Sequence, residues 1–420
     1  MPSADERAFY NRIRAAPDDD GPRLIFADWL DEAGDSDRAE FIRLQCALAG
    51  LPADDPRRPD LEEREKRLRD AHERQWAADI APHVTGWDFR RGLIEGVSLD
   101  TAQFLATGAA LFDAAPIRRV RLLDIGDRMA RVAQAPLLRH VRDLDLCAND
   151  LGDRGPILLA RSPHLGQLDA LGLGYTGLGD AGLRTLAESP AYLSLRVLQL
   201  NDNPHIDAAG LEALGASPHL TDLRAVDVSG NGLTGLALWP LIDGPALRRI
   251  EWLGLRGNRL GDAGTAALAR TDVLARMVRR FKSLDLRQNE IGHVGAAGLA
   301  DSPVLAALEH LDLDGNHLGD EGCRALAASP HLGRLRVLSL RENRITDDGV
   351  RALARSPLMA SLRRLDLTGQ WITEESVDRL HEASIAHDWR GLLVVKADSP
   401  LRTRPLLSAV PAAFLRRLSN

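Results

Sequence analysis

The chain has 420 residues, long for one compact domain, and 45% of them are hydrophobic although only 4% are aromatic, so its core is built from Leu, Ala, Val and Ile in thin stacked layers. A formal charge of -7 with no basic stripe argues against a nucleic-acid partner. Three scattered cysteines, a charged start and the lack of a long apolar run predict a cytoplasmic chain without disulfides, export signal or membrane anchor.

In chain order, residues 1–85 are predicted to form a small helical domain. Gly34 closes one helix, Asp37 with Glu40 reads as a capping box for the next, and Phe26, Trp29, Leu30, Phe41, Ile42 and Leu44 form the expected core. The segment 61–70 mixes charge signs at helical spacing, as a solvated helix face does. Residues 22–45 (PRLIFADWLDEAGDSDRAEFIRLQ) resemble the repeat-companion domain that accompanies repeats in certain bacterial proteins, and the likeness extends through residues 86–95 (GWDFRRGLIE). That resemblance implies a bacterial origin. It assigns no activity. Residues 86–140 are expected to be a transition with a degenerate first strand at 120–122.

From Val141 to Leu380 a phrase of the form LxxLxLxxNxLGDxG recurs, followed by an apolar run and Ser-Pro. Its Asn slot falls at Asn149, Thr176, Asn203, Asn231, Asn258, Asn289, Asn316, Asn343 and Gln370, 27 residues apart except for steps of 28 and 31. Alternation such as Leu311-Asp312-Leu313 predicts a short strand with one buried face. Asp153, Asp180, Asp262, Asp320 and Asp347 then stand where a helix N-cap is needed, and the Ser-Pro pairs end each helix. One repeat is one strand plus one helix. Such a unit buries its apolar face only by stacking, strand beside strand and helix beside helix.

The pattern resembles the ribonuclease-inhibitor-like class of leucine-rich repeats, which implies an α/β solenoid, a horseshoe with a parallel inner sheet and outer helices. The resemblance also implies that the Asn amides form a ladder inside the turns, so the departures at Thr176 and Gln370 are expected to weaken it locally. Residues 381–420 are expected to cap the last layer, with a final strand at 392–395 and an amphipathic tail at 413–418.

Chemical motifs are weak. Two matches to GxGxxG, starting at Gly172 and Gly230, coincide with repeat turns rather than with a βαβ dinucleotide site. The histidines and cysteines lack metal-ligand spacing, and no GxSxG elbow occurs, so neither cofactor, metal nor catalysis is expected. Function is expected on the exposed strand columns. There Trp252, Arg256, Asp285, Arg287, His310, Asp312, Arg341 and Asp366 come together by column arithmetic as a candidate surface for a protein partner. Charges in these columns also serve plain solubility. The alternatives to a scaffold are a regulator that presents Arg256, Arg287 or Arg341 to a partner enzyme and, from another class, a hydrolase or transferase with a pocket of converging titratable groups.

Overall fold

The computed structural model describes residues 2–52, 55–386 and 392–394. Over the described residues the chain divides into two compact units, one within residues 1–176 with 189–196 and the other of residues 177–188 with those from 197 to 394.

The first unit opens with four helices, α1 (Ala4–Ala15), α2 (Gly21–Glu32), α3 (Ser36–Gly50) and α4 (Arg58–Trp76), each packed on the next. Ser3 and Glu6 form a capping box on α1 that sequence reading passed over. On α3 the cap is Asp35, which accepts from Arg38 N at 3.3 Å; Asp37, the expected cap, lies inside the first turn. The core holds Phe26, Leu30 and Ile42 as expected, joined by Tyr10 and Ile13 of α1, while Phe41 packs edge-on against Phe89.

A hairpin follows, β1 (Gly86–Arg90) antiparallel to β2 (Leu93–Asp100), and it was not legible as a hairpin in the sequence. Gly92 in its turn has φ +87°, and a Cβ there would stand 2.3 Å from Ile42 Cα, so the turn docks on α3 only as glycine. After α5 (Thr101–Ala114), β2 continues in parallel to β3 (Arg119–Leu123), β4 (Asp143–Asp145) and β5 (Ala170–Gly172), with α6 (Met129–Ala133) and α7 (Arg154–Ala160) between them. The expected degenerate strand is therefore the third strand of the sheet.

In the second unit strand and helix alternate: α8 (Asp180–Glu188), β6 (Val197–Gln199), α9 (Ala208–Gly215), β7 (Ala225–Asp227), α10 (Gly235–Ile242), β8 (Trp252–Gly254), α11 (Gly261–Leu268), α12 (Asp272–Phe281), β9 (Ser283–Asp285), α13 (His293–Ala300), β10 (His310–Asp312), α14 (Gly319–Ala327), β11 (Val337–Ser339), α15 (Asp347–Ala354), β12 (Arg364–Asp366), α16 (Glu374–Ala386) and β13 (Leu392–Val394). Strands β6–β8 and β9–β13 pair in parallel and in sequence order. Helices of successive repeats pack on one another. The step of 31 residues is α12, an extra helix capped by Thr271 and tied back by Arg276 to the carbonyls of Leu247 and Ile250. The two sets of strands are bridged one step later, where Gly257 N donates to Arg287 O at 2.9 Å. The expected strand at 392–395 is observed as β13, whereas the proposed tail at 413–418 lies outside the described residues. Among the described residues no helix is long and apolar enough to cross a membrane.

Three kinds of hydrogen bond tie one repeat to the next. Asn316 Oδ1 accepts from the backbone N–H groups of Asn289 and Ile291, both at 3.0 Å, and its Nδ2 donates to Leu286 O and Leu313 O. Gln370, expected to weaken the ladder, keeps it: its Oε1 accepts from Ile345 N at 2.9 Å and its Nε2 reaches Leu340 O. One extra methylene is absorbed without loss of either bond. At Thr176 the hydroxyl donates to Leu173 O at 2.7 Å, the bond an Asn amide makes to its own strand end.

The recurrent Asp caps a helix, but not its own. Asp262 Oδ1 accepts from Gly292 N and Gly295 N of the following repeat, both at 2.7 Å. Asp180, Asp320 and Asp347 do the same for Asp207, Thr346 and Thr373. The serine of Ser-Pro points the other way. Ser302, Ser329 and Ser356 donate to Ala269 O, Ala300 O and Ala327 O of the preceding repeat at 2.5 Å. The residue before the ladder slot is left-handed in each turn, and in some turns the one after it is too, as at Glu290 and Arg344. The residue before the ladder slot is Gly in some repeats, but Tyr175 (φ 57°), Gln288 (φ 55°) and Glu342 (φ 52°) adopt the same conformation.

Candidate protein-binding face

All eight candidate residues lie in the second unit, on strands or two residues beyond a strand's last residue. Parallel register fixes their neighbours. Asp285, Asp312, Ser339 and Asp366 stand side by side on β9–β12, and Ser283, His310, Val337 and Arg364 form the column before them.

The aspartates of the middle column have a framework task that sequence columns did not reveal. Asp227, Asp285, Asp312 and Asp366 each accept from the backbone N–H two residues on, at 3.0–3.1 Å, and so close the turn that leaves the strand. Asp145 does so in the first unit, at 2.9 Å. Their recurrence is therefore explained by the turn before any partner is invoked.

Arg287 is the hub of the face. Its Nε donates to Asp285 Oδ1 at 2.9 Å and lies 3.2 Å from Asp312 Oδ2, and its Nη2 meets Asp285 Oδ2 at 2.5 Å. Burial works against its charge, but its hydrogen bonds to Asp285 and the charges of Asp285, Asp312 and Asp314 hold it above its ordinary pKa. Asp314 accepts from Ser339 Oγ at 2.6 Å and from Arg341 N at 2.8 Å. Asp366 accepts from Thr368 Oγ1 at 2.7 Å and pairs with Arg364. Arg256 is half-buried and makes no ion pair among the described residues.

Removal from water governs the carboxyls. Asp312 is 9% exposed, and burial together with Asp314 pushes its carboxyl up to about 7 against the opposing pull of Arg287. Asp227 and Asp314 are also raised, by burial first. Burial lowers His310, so its imidazole stays neutral near pH 7.

Trp252 is a correction. Expected as an exposed anchor, it is only 7% exposed, because Gly254 beside it has no side chain and the ring folds into that gap. A Cβ on Gly254 would meet Trp252 Cη2 at 2.7 Å and Asp227 Oδ1 at 2.3 Å. The indole fills space within the sheet face; it is not presented to a partner. Large exposed rings occur elsewhere, at Tyr175 and Trp371 in the turns and at Trp239 on α10.

Over β9–β11 the face is hollowed into a depression of about 220 Å³ lined by Ser283, Asp285, His310, Leu311, Asp312, Val337 and Ser339. Among the described residues no group of three metal-ligating side chains converges. The three cysteines are free thiols, and burial raises each of them, Cys147 to about 12.

A family model described as Leucine Rich repeat matches residues 193–215, 281–300, 306–327 and 335–354. The fold is a leucine-rich-repeat fold. Among solved structures, an internalin (InlF) from Listeria monocytogenes shares 15% identity over 68% of this chain and 78% of that one, with a TM-score of 0.37. The complex of Rad7 and Elc1 in yeast contains a chain with 16% identity over 84% of this leucine-rich-repeat chain and 81% of its own, with a TM-score of 0.39. No curated protein matches.

Proposed function

We propose that the chain is a protein-binding scaffold that uses the exposed strand face of its later repeats, working in the cytoplasm and without catalysis, with residues 1–85 as a second module. The observation that carries this reading is the division of labour among polar residues. Asn, the capping Asp and the Ser of Ser-Pro are consumed by ties between repeats, whereas Arg256, two residues beyond β8, and the His310 depression on the registered strand face enter none of these three ties. Rigid strands hold such groups at fixed spacing, which lowers the entropic cost of recognition.

The test is affinity capture from the native cell with the full chain and three variants. Arg256→Glu and Arg341→Glu are expected to lose the captured protein, with a cost of about 2 kcal/mol or roughly thirtyfold in affinity if either is a hot spot. Arg324→Glu on α14 is expected to retain it. The opposite pattern would move the site to the helical face, and indifference to all three would move it to residues 1–85.

A further inference from the structure

We propose that the helix face centred on α10 and α11, in the second unit, pairs with the same face of a second copy of this chain. Two positions of each helix, five and eight residues after the ladder residue, lie on its uncovered side, and most helices carry charge there: Arg184 on α8, Glu321 and Arg324 on α14, Asp348 and Arg351 on α15. On α9, displaced by one extra residue, the charge is Glu212. On three helices in succession it is missing, and the pairs read Leu236 and Trp239 on α10, Ala263 and Ala266 on α11, Val294 and Ala297 on α13. Leu236 is 88% exposed, Val294 53% and Trp239 43%. The small residues have a framework task, because a Cβ on Gly298 would stand 2.9 Å from Ala266 Cβ where α13 closes on α11. Leu236 is almost uncovered and has no such task, so the apolar ridge it forms with Trp239 marks a contact surface.

Relief and charge both point to a second copy. The ridge on α10 runs beside the alanine floor of α11, so a two-fold axis between these helices sets the ridge of each copy on the floor of the other. Asp243 and Arg270, just past the ends of α10 and α11, are exposed, and the same axis brings Asp243 of one copy to Arg270 of the other, twice over. Moving the axis onto α11 would set Asp243 against Asp301 and Arg270 against its own counterpart, so charge selects the first arrangement. An unrelated protein needs no such symmetry. Copies of a chain with a net charge of -7 repel one another, least where the surface between them is neutral. The four helices α9, α10, α11 and α13 offer a strip of about 12 Å by about 35 Å, on the order of 400 Å² per copy against roughly 800 Å² for a standard interface. The dimer is therefore weak and reversible, with a dissociation constant on the order of 100 µM. Strands form the other layer of each repeat, so both strand faces stay free and a partner with two epitopes meets a bivalent scaffold.

The experiment is sedimentation equilibrium on the full chain from about 5 to about 500 µM, where the average mass is expected to rise toward twice that of the monomer. L236E changes a side chain that is almost fully exposed, so its melting temperature is expected to match the wild type while self-association weakens about thirtyfold. D243R and R270D are each expected to weaken it about tenfold by setting like charges together, and the double variant D243R/R270D to restore it. Restoration separates a contact across the axis from damage within one copy. A wild type that stays monomeric at about 500 µM, a dimer indifferent to L236E, or a double variant no better than the singles would overturn the proposal. So would a monomeric wild type that loses a captured protein on L236E, which assigns the face to a different partner, or one that dimerises only after removal of residues 395–420, which assigns it to the chain's own end.

Discussion

Two charge clusters, one in each unit, show how the same chemistry serves different ends. In the first unit Arg23 and Glu95 pair with both side chains wholly covered, and Arg118 lies 4.0 Å from the second Glu95 oxygen. In the second, Arg287 joins Asp285 and Asp312 with each side chain 11–13% exposed. The sealed cluster can only hold helix α2 to the strand sheet. The open one stays partly exposed to solvent. Burial, rather than the residue types, separates the two clusters.

The largest expected effect tests the sealed cluster. Glu95→Ala leaves Arg23 buried with no counter-charge, and a loss of about 3–5 kcal/mol in unfolding free energy is expected by denaturant melts. If the loss matches that of Asp285→Ala, the contrast between the clusters falls. Next comes the ladder: Asn316→Ala orphans two backbone donors and two acceptors, and a loss of about 3 kcal/mol is expected in the same assay.

The open cluster is expected to respond to pH with the opposite sign to an ordinary ion-paired aspartate. Because the folded Asp312 carboxyl is raised to about 7 by burial, the folded state holds a proton that the unfolded chain releases near its ordinary value. Its contribution is therefore most favourable at low pH and is lost as pH rises toward and through about 7. Asp312→Asn should stabilise the protein at pH 8, on the order of 1 kcal/mol, and flatten that part of the profile. A thermal melt series across pH reads this, and a steeper profile in the variant would break the assignment. Smallest is Glu342→Gly, which relieves a left-handed residue in the turn; a gain below about 1 kcal/mol is expected, and a clear loss would show that the Glu342 side chain holds the turn.

The repeat was legible because it is periodic. Asn316 predicts its own role from its copies 27 residues away, and the short strands follow from Leu-x-Leu alternation. What was not legible depends on single events or on neighbours across repeats. The β1–β2 hairpin occurs once and its turn is read only with Ile42 beside Gly92. Asp262 sits at the start of its own helix in sequence, yet it caps the helix that begins after Gly292, a partner that linear spacing does not single out. Arg23 and Glu95 stand 72 residues apart and nothing in either neighbourhood announces the pair. The register of the columns is legible in the sequence, but exposure is not: Trp252 is covered because Gly254 beside it has no side chain, and Asp312 and Asp366 are buried too.

The direction of the ties between repeats has a consequence for how the array can be edited. Several repeats lend a carboxylate forward, from Asp262 to Gly292 or from Asp320 to Thr346, and a hydroxyl backward, from Ser302 to Ala269 or from Ser329 to Ala300. Excising one whole period, from a ladder residue to the residue before the next, rejoins every lender to an equivalent borrower. A cut of the same length begun in the middle of a helix does so too in sequence, whereas a shorter deletion that removes a lender or its borrower strands the other at one seam. The array therefore behaves as a chain of links whose count can change with the ties kept, and whose length can change where the ties are spared, as the steps of 28 and 31 residues show.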